Sequence, residues 1–439
     1  MTESAIQKAI SKLLQVHKHA TIRPKRVFLA VCIVIVVSLL YLEFRTTTRV
    51  HLSPYNLGGH SDIHDGLPET TGKTERVQNS TFLKLAPAYH RAILNPEDGT
   101  FPRLDCPVPT SGKYEYIRSN STDSGFHRRY FFALDLHDSL AVLPRLLGSV
   151  IETIKFLGVS RCALSIVEGR SEDGTFEVLT SLSKELERIG IQYYFRSSDG
   201  NPEADNRIGA LASLRNDALQ PLLGNRQIYL ENATVVFLND VAICMEDILE
   251  LIHQREKLGA DMTCGMDWKN LWKDPTFYDV WIARSLNGDS FFEIGADGNW
   301  DSAWNLFWNH EESQKRFSGH QPFQVFACWN GGAVFTAKPF LEEKIRFRAP
   351  REGECFQGEP SIFCKEMWHL GYGKIAVIPT VNLEYSDEGA KLVKQLRGTP
   401  SSSQVENEDN LNWEGPPEKV KCIAQYDNQH WVPWDEYIE

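Results

Sequence analysis

The sequence predicts an α/β fold: a mainly parallel sheet flanked by helices, preceded by one N-terminal transmembrane helix and a stem. Three observations predict it. Strand-like and helix-like patterns alternate between residues 130 and 240, and an apolar run fills residues 27–44. Between them, residues 46–100 are rich in Thr, Ser, Gly, Pro and His without sustained periodicity.

The apolar run "VFLAVCIVIVVSLLYLEF" follows a tail holding Lys8, Lys12, Lys18, Arg23, Lys25 and Arg26 against Glu3 alone. As a helix it is about 27 Å long, the low end of a bilayer span. A cleaved signal peptide needs a shorter run and a small-residue exit, which Glu43-Phe44-Arg45 does not offer. The expected organisation is a cytosolic tail over 1–26, an uncleaved signal-anchor over 27–44 and a lumenal stem over 45–124, with Arg45 and Arg49 softening the charge asymmetry. The short span suits a thin, early-secretory bilayer. Sequons at Asn79, Asn120 and Asn232, and eight cysteines besides Cys32, agree with a lumenal body. Which cysteines pair cannot be read from their spacing.

A formal charge of −12 leaves no basic excess to displace phosphate counterions, which excludes nucleic acid as the main partner. The length allows one large α/β domain with appendages. Residues 125–395 are the expected body and 396–439 a C-terminal extension that begins with the polar, acidic "PSSSQVENEDNLNWEG" (400–415).

Within the body, "YFFALDL" (130–136) reads as a buried strand and "VLPRLLGSVIETIKFLG" (142–158) as a helix. "CALSIVE" (162–168) is a second strand, and "TFEVLTSLSKELERIG" (175–190) repeats apolar residues three and four apart. "IQYYFR" (191–196) is a third strand, "RIGALASLRNDALQPLL" (207–223) another helix, and "ATVVFLND" (233–240) closes the series. Helices of this length between strands imply right-handed crossovers and a parallel sheet. Ligands of such sheets collect beyond the carboxyl ends of the strands, where Glu168, Asn239 and Asp240 fall.

Asp240 admits two readings. It caps the helix predicted in "DVAICMEDILELIHQRE", or it binds a Mg2+ or Mn2+ ion that bridges a nucleotide diphosphate. One carboxylate beside one amide is a thin ligand set, so a second donor is expected from elsewhere. Asp267, in "CGMDW", and Glu359 are available. Glu168 is either a solvated loop acid or an acceptor for a base or ribose hydroxyl. Arg207 and Arg215 lie eight apart on one helix; Arg215, followed by Asn216, is the better placed to reach a diphosphate. Glu359 opens a helix in "GEPSIFCKEMWHL", either as a dipole-favoured first-turn acid or as a cleft carboxylate. Residues 268–329 hold seven of the eleven tryptophans, as core packing or as a groove whose rings stack on sugars.

Taken in order, "FFALDLHDS", "LSIVEGRSEDGT", "RIGALASLRNDALQPL", "VVFLNDV", "CGMDW", "FYDVWIAR", "VFACWNGGAVFTAKPF" and "GEPSIFCKEMW" resemble the fungal capsule-associated α-1,3-mannosyltransferases. The resemblance spans residues 125–385, and its "FLNDV", "FYDxW" and "CWNG" elements are specific. It implies a single-pass type II Golgi membrane enzyme with a GT-A-like fold, that is, a Rossmann-like nucleotide-sugar domain. It further implies GDP-mannose as donor, a divalent cation (Mn2+ or Mg2+), a mannose-containing glycan as acceptor, and an α-1,3 linkage formed with retention. On this reading Asp240 and Glu359 are catalytic, with Asp240 on the metal. Glu168, Arg207, Arg215, Asn239 and Asp267 bind the donor, and Trp268, Asp279, Trp329 and Asn330 bind the acceptor. Where the family pattern has "SEC" followed by Cys and Asp, this chain has Gly358-Glu359-Pro360 and then Cys364-Lys365-Glu366, and Ser285 stands where an acid is expected. These departures bear on the sugar, the acceptor and the disulfide pattern rather than on transfer chemistry. The rival readings are a transferase of glucose or xylose, and a catalytically silent Golgi scaffold or glycan-binding protein.

Overall fold

The computed structural model describes residues 76, 78–109, 112–119, 127–200, 206–271, 274–403 and 411–438. The apolar run at 27–44, on which the anchor reading rests, lies outside them, as do Asn120 and Trp272. Among the described residues no helix is long and apolar enough to cross a membrane. The described residues belong to one compact unit that begins at Arg76.

The chain runs through α1 (Ser80–Leu94), α2 (Glu115–Ser119), β1 (Arg128–Leu136), α3 (Leu143–Leu157), β2 (Cys162–Gly169), α4 (Thr175–Arg188), β3 (Gln192–Ser198) and α5 (Arg207–Gly224). It continues through β4 (Tyr229–Leu238), α6 (Met245–Leu258), β5 (Met262–Lys269), β6 (Thr276–Phe277), β7 (Arg284–Ser285), α7 (Glu311–Ser318), β8 (Phe323–Ala327) and β9 (Gly332–Thr336). After α8 (Lys338–Leu341), α9 (Glu359–His369), β10 (Ile375–Glu384) and α10 (Asp387–Arg397), it ends in the hairpin β11 (Lys419–Gln425) and β12 (Asn428–Pro433).

The main sheet has the order β3-β2-β1-β4-β9-β5-β10-β8-β7, with β6 paired to β5. The first four strands are parallel, as the sequence predicts; the apolar runs of β1, β2 and β4 are buried between helices, while β3, at the edge of the sheet, is partly exposed. Beyond β4 the expectation of a mainly parallel sheet fails. Strand β9 is antiparallel to both β4 and β5, and β8 to β10, leaving only β5 and β10 parallel in that half. Strands β8 and β9 are five residues each and joined by a short turn with no helix, and β5, β6 and β7 follow one another without one, so antiparallel pairing is topologically open to them.

Side-chain alternation splits the core into two layers. Phe131, Ala133, Val235 and Phe237 face one, and Phe132, Leu134, Val236 and Leu238 the other. The register aligns Leu136 with Glu168 and Leu134 with Leu238, so Asp135, Glu168 and Asn239 all reach one rim.

The expected stem boundary at residue 124 is too late. Asn79 caps α1 by accepting from the Thr81 N–H at 2.9 Å, and Ala86, Ala92 and Ile93 are buried against the body. Cys106 is disulfide-bonded to Cys244 just before α6. The apolar positions of α1 need that cover, which an isolated stem would not give. Two further disulfides join Cys264 to Cys328 and Cys355 to Cys422, while Cys162 and Cys364 are free and buried.

The C-terminal hairpin is also integral. Lys421 donates its N–H to Gly288 O at 2.8 Å and pairs through Nζ with Asp289 at 3.1 Å. Arg284, fully buried, donates through Nε to Lys421 O at 2.8 Å. Just beyond the hairpin, Glu436 O accepts from Lys365 Nζ at 2.8 Å and its carboxylate accepts from the Cys355 N–H.

Candidate active site

At the carboxyl rim of the parallel strands, β4 ends at Leu238 and the chain turns through Asn239-Asp240. The cap reading of Asp240 is excluded. Helix α6 starts at Met245, and its N-cap is Cys244, whose N–H donates to Asp247 Oδ2 at 2.9 Å. Asp240 is instead part-buried at the rim, with no basic side chain paired to it among the described residues. Burial pushes its carboxyl above the usual range, against the pull of its own backbone N–H, Lys269 and His137.

Behind it sits a buried ionic group. Arg215, on α5, donates through Nε to Glu359 Oε1 at 2.7 Å, and its Nη1 lies 3.9 Å from Asp135 Oδ1. The guanidinium lies 4.4 Å from the centre of the Trp329 ring, a stacked cation–π contact. Burial pushes the Asp135 carboxyl up to about 6 although Arg215 pulls it down; Glu359 and Asp240 push it further, which places all three acids within electrostatic reach. Glu359 is the first residue of α9, as the helix reading has it, and its carboxylate is buried against Arg215.

A second acidic group flanks the first. Asp279 Oδ2 accepts from the Asn330 N–H at 2.8 Å, and burial raises its carboxyl to about 6. Asp267, on β5, is fully buried; its Oδ2 accepts from Tyr385 OH at 2.6 Å and its Oδ1 has no hydrogen-bond partner. Burial, then the Asp279 charge, raises the Asp267 carboxyl well above its ordinary value. Carboxylates thus outnumber the buried guanidinium, and the site is short of positive charge.

Among the described residues no three His, Cys, Asp or Glu side chains converge as a metal centre. The donor set nonetheless fits a hard cation that brings its own ligands. Asp240 supplies one anionic oxygen at the rim, and phosphate oxygens and water would supply the rest.

Several expected site residues are placed otherwise. Glu168 is buried, and its oxygens accept from Arg76 Nη1 at 3.1 Å, Ser197 Oγ at 2.7 Å and the Ser171 N–H at 2.5 Å, so its acceptor capacity is spent on the protein. Asn239 Oδ1 accepts from Trp329 Nε1 at 2.9 Å. Asp267 lies beneath Tyr385 rather than open to a nucleotide. Trp329 is 1% exposed and packs on Phe237, Phe347 and Phe363, so its ring cannot receive a sugar. Trp268 is equally buried, bonded through Nε1 to Asn382 Oδ1 at 2.9 Å and covered by Arg397. Asn330 is buried too and donates through Nδ2 to Gly265 O at 2.8 Å; it holds a left-handed φ of 53° that shapes the turn carrying its N–H to Asp279. Arg207 is exposed at the start of α5, within electrostatic reach of Tyr278.

Sequence reasoning missed Asp135, Tyr278, Tyr385 and Lys269. Asp135 carried the signal that marked Asp240, an acid near the end of an apolar run, here Tyr130 to Leu134 of β1. The other three carry no local signal, because only the pairing of β5 with β6 and β10 brings them together.

The sequence model of the family described as Cryptococcal mannosyltransferase 1 matches residues 129–366. Over 351 residues the chain is 34% identical to the alpha-1,3-mannosyltransferase CMT1 of Cryptococcus neoformans var. neoformans serotype D, covering 74% of each. Among solved structures, S. aureus TarS 1–349 is 12% identical with a TM-score of 0.35, over 59% of this chain and 60% of that one. The mannosyltransferase PcManGT from Pyrobaculum calidifontis, in complex with GDP-Man and Mn2+, is 11% identical with a TM-score of 0.34, over 70% and 65%. At such TM-scores these two likenesses carry no argument.

Proposed function

Since the chain belongs to the cryptococcal mannosyltransferase 1 family and is a glycosyltransferase, we propose that it moves mannose from GDP-mannose to a hydroxyl of a mannose-containing glycan, forming an α-1,3 linkage with retention. The observation that carries the reading is Asp240, a rim carboxylate with no paired base among the described residues, set within electrostatic reach of Arg215 and Asp135.

On this reading Asp240 would hold Mn2+ or Mg2+ together with the diphosphate of the donor. The ion's contribution is to neutralise charge on the departing GDP. The cluster's excess of buried carboxylates supports the need for that charge. Arg215 fixes the direction in which Glu359 points, so the Glu359 carboxylate is held in a defined orientation. Asp135 and Asp279, both raised to about 6, change charge in the range where a proton can be taken from an incoming hydroxyl. A GT-A-like arrangement has the nucleotide over the parallel half of the sheet and the acceptor over the mixed half.

The same reading places the protein in the Golgi membrane as a single-pass type II enzyme. Its support is the tail-and-span pattern of residues 1–44 and three disulfides, which persist in an oxidising lumen.

The test is incubation of the purified full-length chain with labelled GDP-mannose, UDP-glucose and UDP-xylose in parallel, with mannobiose as acceptor and Mn2+ present. Transfer from GDP-mannose alone, with a new 3-linked mannose on linkage analysis, is the expected result. Preference for another nucleotide-sugar overturns the donor assignment.

A further inference from the structure

The tryptophans expected to stack on the acceptor are buried, yet beside the acidic groups one aromatic ring is open to solvent. Tyr278 is 39% exposed, immediately before Asp279 and immediately after β6. Isolated exposed aromatics are common on protein surfaces. Three relationships set this one apart.

Its backbone is fixed. The Tyr278 N–H donates to Asp267 O at 3.2 Å, and its carbonyl accepts from the Val280 N–H at 2.8 Å. Its ring is backed edge-to-face by Tyr385 at 5.4 Å, whose own hydroxyl is held by Asp267. Lys269 Nζ lies 5.9 Å from the Tyr278 ring centre and 5.2 Å from that of Tyr385. The ring also stands at the acids: after burial itself, the charges of Asp267 and Asp279 raise its hydroxyl's pKa, and Asp240 adds to them. A rigid apolar face beside carboxylates and an ammonium matches the chemistry of a pyranose, which has an apolar ring face and a rim of hydroxyls.

Resting on the transferase reading above, we propose that Tyr278 is the acceptor-stacking residue, its open face receiving one neutral pyranose of the glycan whose hydroxyls turn toward Asp279 and Lys269. The strand order favours the acceptor over the guanine base as occupant. Strand β6 pairs with β5, which is separated from β4 by β9 and lies on the mixed half of the sheet. Nucleotides settle beyond the carboxyl ends of the parallel strands where the strand order reverses, here between β1 and β4. Tyr278 determines acceptor affinity and not the bond-making step.

Steady-state kinetics of the full-length chain and of Tyr278→Ala and Tyr278→Phe, with GDP-mannose and mannobiose each varied in turn, test this. Tyr278→Ala is expected to raise the acceptor KM about tenfold or more, the size of one lost pocket contact. The donor KM should stay within about twofold, and Tyr278→Phe, which keeps the ring face, should stay close to the unmodified chain in both. A rise in the donor KM instead assigns the ring to the nucleotide and overturns the inference. So does an unchanged acceptor KM in Tyr278→Ala. Absence of any transfer by the unmodified chain overturns the donor-and-acceptor reading, and this inference with it. A thermal midpoint unchanged by Tyr278→Ala separates lost binding from lost folding.

Discussion

Arg215 and Glu359 stand 144 residues apart in the chain and meet at 2.7 Å, both buried, beneath the rim of the cleft. Breaking one side of a buried pair leaves a bare charge, at a cost of about 3–5 kcal/mol. Arg215→Met is expected to lose stability of that order and all transfer. The double variant Arg215→Met with Glu359→Gln should recover much of the stability and none of the activity. Urea denaturation and turnover measured on the same samples check both statements.

Asp240 should behave in the opposite way. Burial disfavours its charge, and no basic partner is stranded by its removal. Asp240→Ala is expected to keep or raise the thermal midpoint while lowering turnover by a factor on the order of 10³, the scale of one lost electrostatic stabiliser. Mn2+ added in excess should not restore the rate. Full turnover in this variant would remove Asp240 from the reaction.

Asp135 fixes a pH dependence. Its folded-state carboxyl is raised to about 6, above an unfolded value of about 3.9. The folded chain therefore holds the extra proton between those values, and stability falls as pH rises through that window. Above about 6 the loss is complete and the contribution is flat. Asp135→Asn should flatten this part of the profile and be more stable than the unmodified chain at pH 7, by denaturation across pH 4–7.

Trp329 tests whether a buried ring still governs the chemistry. Trp329→Phe keeps apolar bulk but removes the Nε1–H that Asn239 accepts and weakens the face over Arg215. A stability loss of about 1–3 kcal/mol and a lower kcat are expected, with the acceptor KM unchanged. A raised acceptor KM would return Trp329 to the sugar-binding surface.

The parallel half of the fold was legible because β1, β2 and β4 are continuous apolar runs, and their helices carry a clear three-and-four spacing. The mixed half was not. Strands β6 and β7 are two residues each and exist only through their partners. Asp240 was legible as an acid that ends such a run, and Glu359 as an acid that opens a helix. Arg215 and Asp267 were singled out as well, but their partners were not legible, because Arg215 reaches Glu359 and Tyr385 reaches Asp267 across distant segments. The tryptophans misled for a physical reason: an indole suits a core and a sugar groove equally, and only three-dimensional cover decides. Trp304, 83% exposed, and Trp329, 1% exposed, are indistinguishable by type.

The C-terminal hairpin has a consequence for the order in which the molecule matures. Through Lys421 it grips the strand after Asp279, and through Cys422 and Glu436 it grips the segment that leads into Glu359. Residues 419–436 are made after both acid-bearing segments, so neither segment gains these ties until the hairpin itself has been made. A chain cut before Lys419 would keep the main sheet and lose every one of these ties.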